Sequence, residues 1–517
     1  MMQPLCFTSL ILVAVIVGVV QGRKYSNECC IRGSVFRRHD ALARAVKRTY
    51  PTEQDFLFAA KRLIAPAWRL WYGPISCWDV SSVTNMAELF EFNPEFNEDL
   101  SCWDVSQVND TSKMFRGATA FNQPLNTWNV SSVINMFGMF AEASSFNQDI
   151  SMWDVSSVID LGYMLAAANS FDYDITGWNV SSALSLFGMF EQCTIFNQPI
   201  GVWDVSSVLF MTWTFKNTTI FNQDLSSWNV SSVVDMTGMF EVALSFNQSI
   251  GTWDTSSVTT MRSMFSGAPV FNQPIGDWNV SSVTDMQTMF KGTESFDQDI
   301  GPWDVSSVIS MLAMFTDTQS FNQDISGWDV SQLVVMPSMF ENAVAFNQPI
   351  GSWNISVVKN MIKIFAGTKS FNQDLNGWDL SFTFDISFMF QDAVAFNGNI
   401  SSWDLQRLGF MESTFQGATS FNQDVGGWNV AAVQSMKSTF QDATAFNQSI
   451  DTWDVSSVTN MTSMFQNATA FNQNLCDWFD VITISQEGVS SMFLNSGCSN
   501  TADPSLLTKG NMCADCM

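Results

Sequence analysis

A tryptophan recurs at a fixed period through most of this chain, and this period constrains the fold more than any other feature. The series begins at Trp78 and Trp103 and reaches Trp478 without an insertion or deletion, which makes seventeen members. Self-similarity at a fixed period of 20 to 50 residues is typical of a solenoid. One such unit is too small to hold a core, so it buries its apolar residues against its neighbours. We therefore predict one long stack of rungs, each one period long.

The apolar pattern within a rung predicts short elements. The Trp153 rung reads FNQDISMWDVSSVIDLGYMLAAANS, and Ile150, Trp153 and Val155 give the I-x-x-W-x-V spacing of a leucine-rich repeat. Alternation about Trp153 and Val155 predicts a short strand whose odd-numbered members face inward. Residues 158–165 carry apolar side chains at spacings of three and four, which predicts a helix of about two turns. The predicted fold class is an α/β solenoid, a leucine-rich-repeat-like right-handed stack of short parallel strands and short helices.

Other columns of the repeat predict a core and a polar ladder. Most rungs carry Met-Phe, as at Met139-Phe140, and a Phe column runs from Phe96 to Phe471. Both columns are interpreted as core, because Met fills irregular gaps and stacked rings form a spine. The Asn column beside it, beginning at Asn97, is interpreted as buried turn chemistry that satisfies backbone groups where the chain corners.

The two ends of the chain differ from the repeats. Residues 1–22 hold an apolar run, interpreted as a cleaved signal peptide with an uncleaved N-terminal anchor as the alternative. Residues 23–74 predict a helical N-terminal cap with a basic outer face; a nucleic-acid- or lipid-binding arm is the alternative for this segment. Residues 75–475 form the predicted solenoid, and 476–517 a Cys-rich C-terminal cap.

Charge is distributed unevenly. The net charge is −27. Residues 23–70 carry eleven Lys/Arg against four Asp/Glu, whereas 71–517 carry eleven against forty-five. So acidic a surface repels nucleic acid, whose binding depends on neutralising phosphates. A basic partner or divalent cations, Ca²⁺ in particular, are left open.

The cysteines gather near the ends of the array, which favours disulfides in an oxidising compartment. Cys77 and Cys102 occupy one column in adjacent rungs, and stacked strands are about 4.8 Å apart, within the Cα range of a disulfide. A disulfide-tied C-terminal cap is predicted after Trp478, where the register breaks. The disulfide candidates are Cys77, Cys102, Cys476, Cys498, Cys513 and Cys516.

The rung F-N-Q-[DP]-[IL]-S-x-W-[DN]-V-S-S-V-T-x-M-x-x-M-F-x-x-A resembles the BspA-like leucine-rich-repeat family of surface proteins. The resemblance covers about residues 40–517, including the Tyr72–Ser76 entry and the terminal Ser496–Cys498. It implies a secreted or surface-exposed protein that binds other proteins or matrix without catalysis. No Cys stands in a lipobox, so bacterial-type lipid anchoring is unsupported.

The repeats lack the residue types of common catalytic sites. His39 is the chain's single histidine, which excludes a His-based triad and the usual zinc sites from the array. Gly-rich phosphate loops are missing, and identical rungs cannot push the pKa values of two carboxylates apart. We expect no enzyme, no cofactor and no metal centre of these types.

The column directly after each Trp is the candidate binding surface. With Trp facing inward, its neighbour points outward from the concave face, as an acidic strip for a basic partner or for Ca²⁺. The mixture of Asp and Asn also fits a purely structural ladder, because Asn relieves repulsion between adjacent carboxylates. The column comprises Asp79, Asp104, Asn129, Asp154, Asn179, Asp204, Asn229, Asp254, Asn279, Asp304, Asp329, Asn354, Asp379, Asp404, Asn429 and Asp454.

These features together predict a secreted or cell-surface repeat protein that acts in recognition or adhesion of a protein or matrix ligand. N-x-S/T sequons such as those at Asn109 and Asn217 fit a glycoprotein. A structural cell-wall or extracellular-matrix component is the first alternative. A calcium-binding acidic solenoid is the lesser one.

Overall fold

The rungs stack in parallel along the whole repeat region. The structure is a computed structural model, and it describes residues 75–480, 482, 484–504 and 512–513. One residue per rung forms a parallel bridge to the next rung: Asn85 pairs with Asp110, and the series continues to Ser435 with Asn460. Val335 and Asn360 are the one neighbouring pair within this series without a bridge. The predicted solenoid is thereby confirmed, whereas segments 1–22 and 23–74 lie outside the described residues.

One wall of the stack is held by backbone bonds between rungs. We call the sixth to fifteenth residues after each Trp the turn wall; in the Trp153 rung it is residues 159–168. Along it the N–H groups of Leu161, Tyr163, Leu165 and Ala167 donate to carbonyl oxygens of the following rung, at 2.6–3.2 Å. The same pattern recurs in nearly every rung, so this wall joins the rungs into one stack.

The predicted short helices are wrong: the described residues contain no α-helix, and the turn wall is a series of β-turns. Met164 N–H bonds to Leu161 O, and Ala168 N–H to Leu165 O, which are turn bonds three residues apart. Tyr163 and Ala167 have φ of 52° and 54°. A right-handed helix excludes such angles. Consecutive turns space inward residues by three, which the sequence pattern cannot distinguish from a helical face.

The predicted strand at each Trp is also not formed. Trp153 and Val155 are buried, as expected for inward-facing residues, but Trp153 N–H closes a turn with Ile150 O instead of joining a ladder. Regular elements of the described residues are four short 3-10 helices, Ile75–Cys77, Ile200–Val202, Cys476–Asp480 and Gln486–Val489. Handedness and curvature of the stack stay predictions.

The tryptophans join the rungs from the core side. Trp153 is 3% exposed, and its indole N–H donates to Leu125 O of the preceding rung at 3.1 Å. Every Trp of the repeat series from Trp103 to Trp453 makes this bond to the residue 28 positions earlier. Trp478 is the exception, because its buried indole N–H has no hydrogen-bond partner.

The Phe and Met columns form the core, as predicted. The ring centroids of Phe140 and Phe146 lie 3.9 Å apart, and Phe146 stacks on Phe171 at 5.9 Å. Met139 is fully buried. The rungs therefore share one continuous aromatic spine.

The Asn column forms the predicted ladder, but on the surface of the stack. Asn122 Oδ1 accepts the backbone N–H of Asn147 at 2.9 Å and the side-chain amide of Gln148 at 2.8 Å. Asn122 and Asn147 are exposed, so the prediction of buried turn chemistry is right in its bonding and wrong in its burial.

The last rung keeps the hydrogen bonds of the turn wall, although the positions of its acceptors are shifted along the sequence. Met461 N–H bonds to Gly488 O and Phe465 N–H to Met492 O, so both acceptors lie three positions later than the regular register would place them. A disulfide joins Cys498 to Cys513 next to this rung, with Cα atoms 4.7 Å apart. The predicted register change after Trp478 is therefore confirmed. The regular period stops there, but the hydrogen bonds between rungs continue into residues 488–494.

Candidate functional site

The column of residues that follow the Trp series forms an exposed row, which we call the Asx row. All sixteen members are exposed, because each stands between a Trp that faces the core and a residue, such as Val155, that does the same. Ten are Asp and six are Asn. Rungs in a stack of this kind lie about 4.8 Å apart. The arrangement is a long line of polar side chains at regular intervals.

Each member of the row has a local structural role. Asp154 Oδ1 accepts the backbone N–H of Ser156 at 3.1 Å and its hydroxyl at 2.6 Å. This is an Asx turn, which Asp and Asn form equally well because both offer a side-chain oxygen. The bond from the residue two positions later is present at all sixteen positions.

The same bonds favour the charged form of several carboxyl groups in the row. Hydrogen bonds from the following serine lower the pKa of Asp154, Asp204 and Asp254 from its ordinary value. Asp304 and Asp329 are neighbours in the row; the serine bonds again lower the pKa of Asp304, and the charge of Asp329 opposes this. These five carboxylates are therefore ionised at neutral pH. The structural and the binding interpretations of the row are compatible, because the turn bonds involve Oδ1 while the charge stays at the surface.

A second acidic column shares this chemistry. Four residues before each Trp, Asp149 Oδ1 accepts the N–H and hydroxyl of Ser151, and Asp174 accepts those of Thr176. These bonds lower the pKa of both carboxyl groups. Asn474 takes the same role with Cys476 N–H. This column offers charges in the same local geometry as the Asx row at a different place on the rung.

A further surface was missed by the sequence analysis. Exposed apolar side chains, among them Ile159, Leu184 and Phe210, lie together on the outside of the turn wall. Their signal in the sequence is a local change within two columns. Other rungs carry Thr in the column of Ile159 and Leu184, as at Thr259 and Thr284. Phe210 belongs to the next column, where other rungs carry polar residues such as Ser185 and Asp235.

The disulfide candidates are resolved in part. Cys498 and Cys513 are joined to each other, and Cys102 and Cys476 are both disulfide-bonded. Cys516 lies outside the described residues. Cys77 therefore stays a prediction, as does Cys516.

The described residues contain no group of three or more His, Cys, Asp or Glu side chains placed to hold a metal ion. Across the same part of the chain, no helix has the length and apolar character needed to cross a membrane.

One family model matches most of the chain. It is described as "Mycoplasma protein of unknown function, DUF285", and it matches five overlapping segments, 61–177, 143–252, 243–344, 321–414 and 385–503. No curated protein matches the chain significantly. Among solved structures, a chain of "Crystal structure of TLR13-ssRNA13 complex" is similar at 9% identity, covering 78% of this chain and 82% of that chain, with a TM-score of 0.14. A likeness of that size carries no argument about fold or function.

Proposed function

Because the chain belongs to the DUF285 family of repeat proteins of unknown function, we propose from its own surface that it is a non-catalytic recognition protein. It binds a basic protein or matrix ligand through the Asx row. The observation that carries this proposal is the exposure of all sixteen row members, with side chains fixed by turn bonds that lower the pKa of carboxyl groups such as Asp154 and Asp204. Fixed side chains lose little conformational freedom on binding, and this reduces the entropic cost of association.

The proposed location is the cell surface or the extracellular space. The Cys498–Cys513 disulfide supports it, because disulfides persist in oxidising compartments. Protease treatment of intact cells should remove the protein; complete resistance, with cleavage after lysis, would contradict the surface location.

The binding proposal is tested by neutralising part of the row. Asp204, Asp254, Asp304 and Asp329 are changed together to Asn, which native rungs carry at Asn229 and Asn279 without losing the turn bond. We expect binding of a fluorescent lysine homopolymer to weaken about tenfold or more, since exposed ion pairs contribute about 0.2–1 kcal/mol each. The measurement is fluorescence anisotropy at low ionic strength, and added salt should weaken the wild-type interaction.

The second acidic column provides the matched control. Changing Asp149, Asp174, Asp224 and Asp324 to Asn removes the same number of charges from the same kind of turn. We expect little change in affinity. Equal weakening by both sets would mean that net charge alone attracts the polymer, and the row would lose its assigned role. Repeating the wild-type titration with a calcium chelator tests whether Ca²⁺ contributes.

A further inference from the structure

A strip of apolar side chains runs across four consecutive rungs on the outside of the turn wall. Its outer members are large hydrophobic side chains that are 41–46% exposed, and a row of half-buried aromatic rings lies three or four residues further along each rung. We call the whole set the apolar strip. It comprises Ile134, Ile159, Leu184 and Phe210 with Phe137, Tyr163, Phe187 and Trp213.

The strip faces solvent because the residues that alternate with it along each rung are buried in the core. Val158, Leu161 and Met164 of the same rung are buried, so the residues between them lie on the outer side of the wall. Ile159 is exposed and Tyr163 is half-buried on that outer side. Ile159 and Tyr163 thus belong to one surface.

Glycines in the following rungs leave room for the aromatic rings, because they have no Cβ atom. A Cβ atom on Gly162 would lie 2.9 Å from the Phe137 ring, and one on Gly188 would lie 2.5 Å from the Tyr163 ring. The Trp213 ring covers Gly238 in the same way. Each of these three rings therefore rests on bare backbone of the rung that follows it.

The rings also contact each other in sequence. Phe137 meets Tyr163 edge to face at 5.6 Å, Tyr163 meets Phe187 at 5.0 Å, and Phe187 meets Trp213 at 5.4 Å between ring centroids. These contacts fix an ordered surface of rings across four rungs. Contiguous exposed apolar surface of this kind marks interaction sites on soluble proteins.

The surroundings of the strip are acidic. From Ile134 to Trp213 the chain contains eight Asp and Glu residues and no Lys, Arg or His. Two cations of the preceding rung, Lys113 and Arg116, lie next to one end of the strip, and each is paired with glutamates of the turn wall. The nearest lysine in the sequence, Lys216, is paired with Glu241 at 3.0 Å and lies over the Trp213 ring. A second copy of this acidic chain or an anionic membrane would meet repulsion here, whereas a cationic partner meets attraction.

The spacing of the strip fits one kind of partner element. Rungs are about 4.8 Å apart, and an α-helix advances about 5.4 Å per turn. A helix lying across the rungs would place one apolar side chain on each rung over the length of the strip. Side chains on one face of an extended strand repeat at about 6.6–6.8 Å and would lose this match.

We propose that the apolar strip docks a cationic amphipathic helix of a partner protein. The apolar face of the helix packs on the strip, and its Lys and Arg side chains face the surrounding carboxylates. This inference extends the proposed recognition function by naming a partner class, and it uses residues other than the Asx row.

The test uses substitutions that the chain itself carries. Ile159 and Leu184 are changed together to Thr, the residue found in that column at Thr259 and Thr284. The probe is a helix-forming Leu/Lys peptide with Leu at spacings of three and four, titrated calorimetrically into the full-length protein. We expect saturable binding to the wild type and at least about a tenfold loss in the double variant, since each lost side chain removes buried apolar area.

The matched control changes Ile309 and Val334 to Thr in the same column of rungs outside the strip, where the side chains are 50% and 45% exposed. Its affinity should equal that of the wild type. A third variant, Phe187→Thr, tests the aromatic row with the residue found at Thr212 and Thr237. Thermal unfolding of the Ile159/Leu184 variant should match that of its control, because Thr is native to the column.

Several results would overturn the proposal. The first is equal affinity of the strip variant and its control for the Leu/Lys peptide. The second is equal affinity of the wild type for a Leu/Lys peptide with scrambled order. The third is binding of the wild type to neutral phosphatidylcholine vesicles that is lost in the strip variant. A wild-type dimer that the strip variant dissociates would assign the strip to a second copy instead. The proposed function of the Asx row is tested separately from the strip proposal, because the strip variants should bind lysine homopolymer as the wild type does.

Discussion

At the scale of single residues, the tryptophans have two separable roles. Each ring fills the core, and each indole N–H satisfies a carbonyl of the preceding rung, as Trp278 does with Ile250 O at 3.0 Å. The sequence predicted the first role from alternation with Val280. It could not predict the second, because the acceptor belongs to another rung and its position depends on how the rungs stack.

Trp278→Ala should lower the free energy of unfolding by about 3–5 kcal/mol, the range for large core truncations. Trp278→Phe tests the hydrogen bond separately, because it keeps an aromatic ring and removes the donor. The matched control is Trp478→Phe, since the Trp478 indole N–H has no partner. We expect the Trp278 variant to be the more destabilised of the two by about 1–3 kcal/mol, measured by denaturant unfolding. Equal effects would show that the indole bond contributes nothing.

At the scale of the rung, turns replace the predicted strand and helix. The apolar residues Val158, Leu161 and Met164 recur every three positions, which both a helix start and consecutive turns allow. The deciding feature is the left-handed backbone conformation at Tyr163 and Ala167. Neither Tyr nor Ala adopts this conformation readily, so the residue types do not predict it. Stacking imposes it, because only then do alternate N–H groups reach the next rung. The apolar strip escaped prediction for a related reason: the Tyr163 ring finds its place only over Gly188 of the neighbouring rung.

A pair of glycine substitutions tests this account of the rung. Gly188 has φ +56° and supports the Tyr163 ring, whereas Gly327 has ordinary φ and open space where a Cβ would be. Gly188→Ala should destabilise the protein by about 1–3 kcal/mol. Gly327→Ala should be neutral or stabilise it by about 0.4–1 kcal/mol, by restricting the unfolded chain. An unchanged thermal unfolding temperature in Gly188→Ala would contradict the close packing of the Tyr163 ring on Gly188.

At the scale of the whole molecule, stability is distributed among neighbouring rungs. Each rung contacts those before and after it, so its stability is a sum of rung and interface contributions. The C-terminal end is protected by residues 488–494, which accept the wall bonds of 461–467, and by the Cys498–Cys513 disulfide. Loss of this end should therefore act locally.

Changing Cys498 and Cys513 together to Ala should weaken hydrogen-exchange protection at 461–467 by about 3 kcal/mol, the value for a disulfide that closes a loop of about 15 residues. Protection in the central rungs should be unchanged. Cys193→Ala is the control: its thiol is buried and free, and Ala occupies that column at Ala168 and Ala243. Loss of protection along the whole array in the double variant would contradict the nearest-neighbour account.

The direction of the hydrogen bonds between rungs has a consequence for how the stack can grow. On the turn wall the N–H groups of alternate residues, such as Leu161 and Tyr163, donate to the following rung. The N–H of the first wall residue, the indole N–H and the Asn-ladder N–H donate to the preceding rung. The stack is therefore polar: its two ends present opposite sets of donors and acceptors. Another array of this kind could continue it only head to tail, in the same orientation. The shifted last rung supplies carbonyl acceptors to residues 461–467, so these donors are satisfied where the regular register ends.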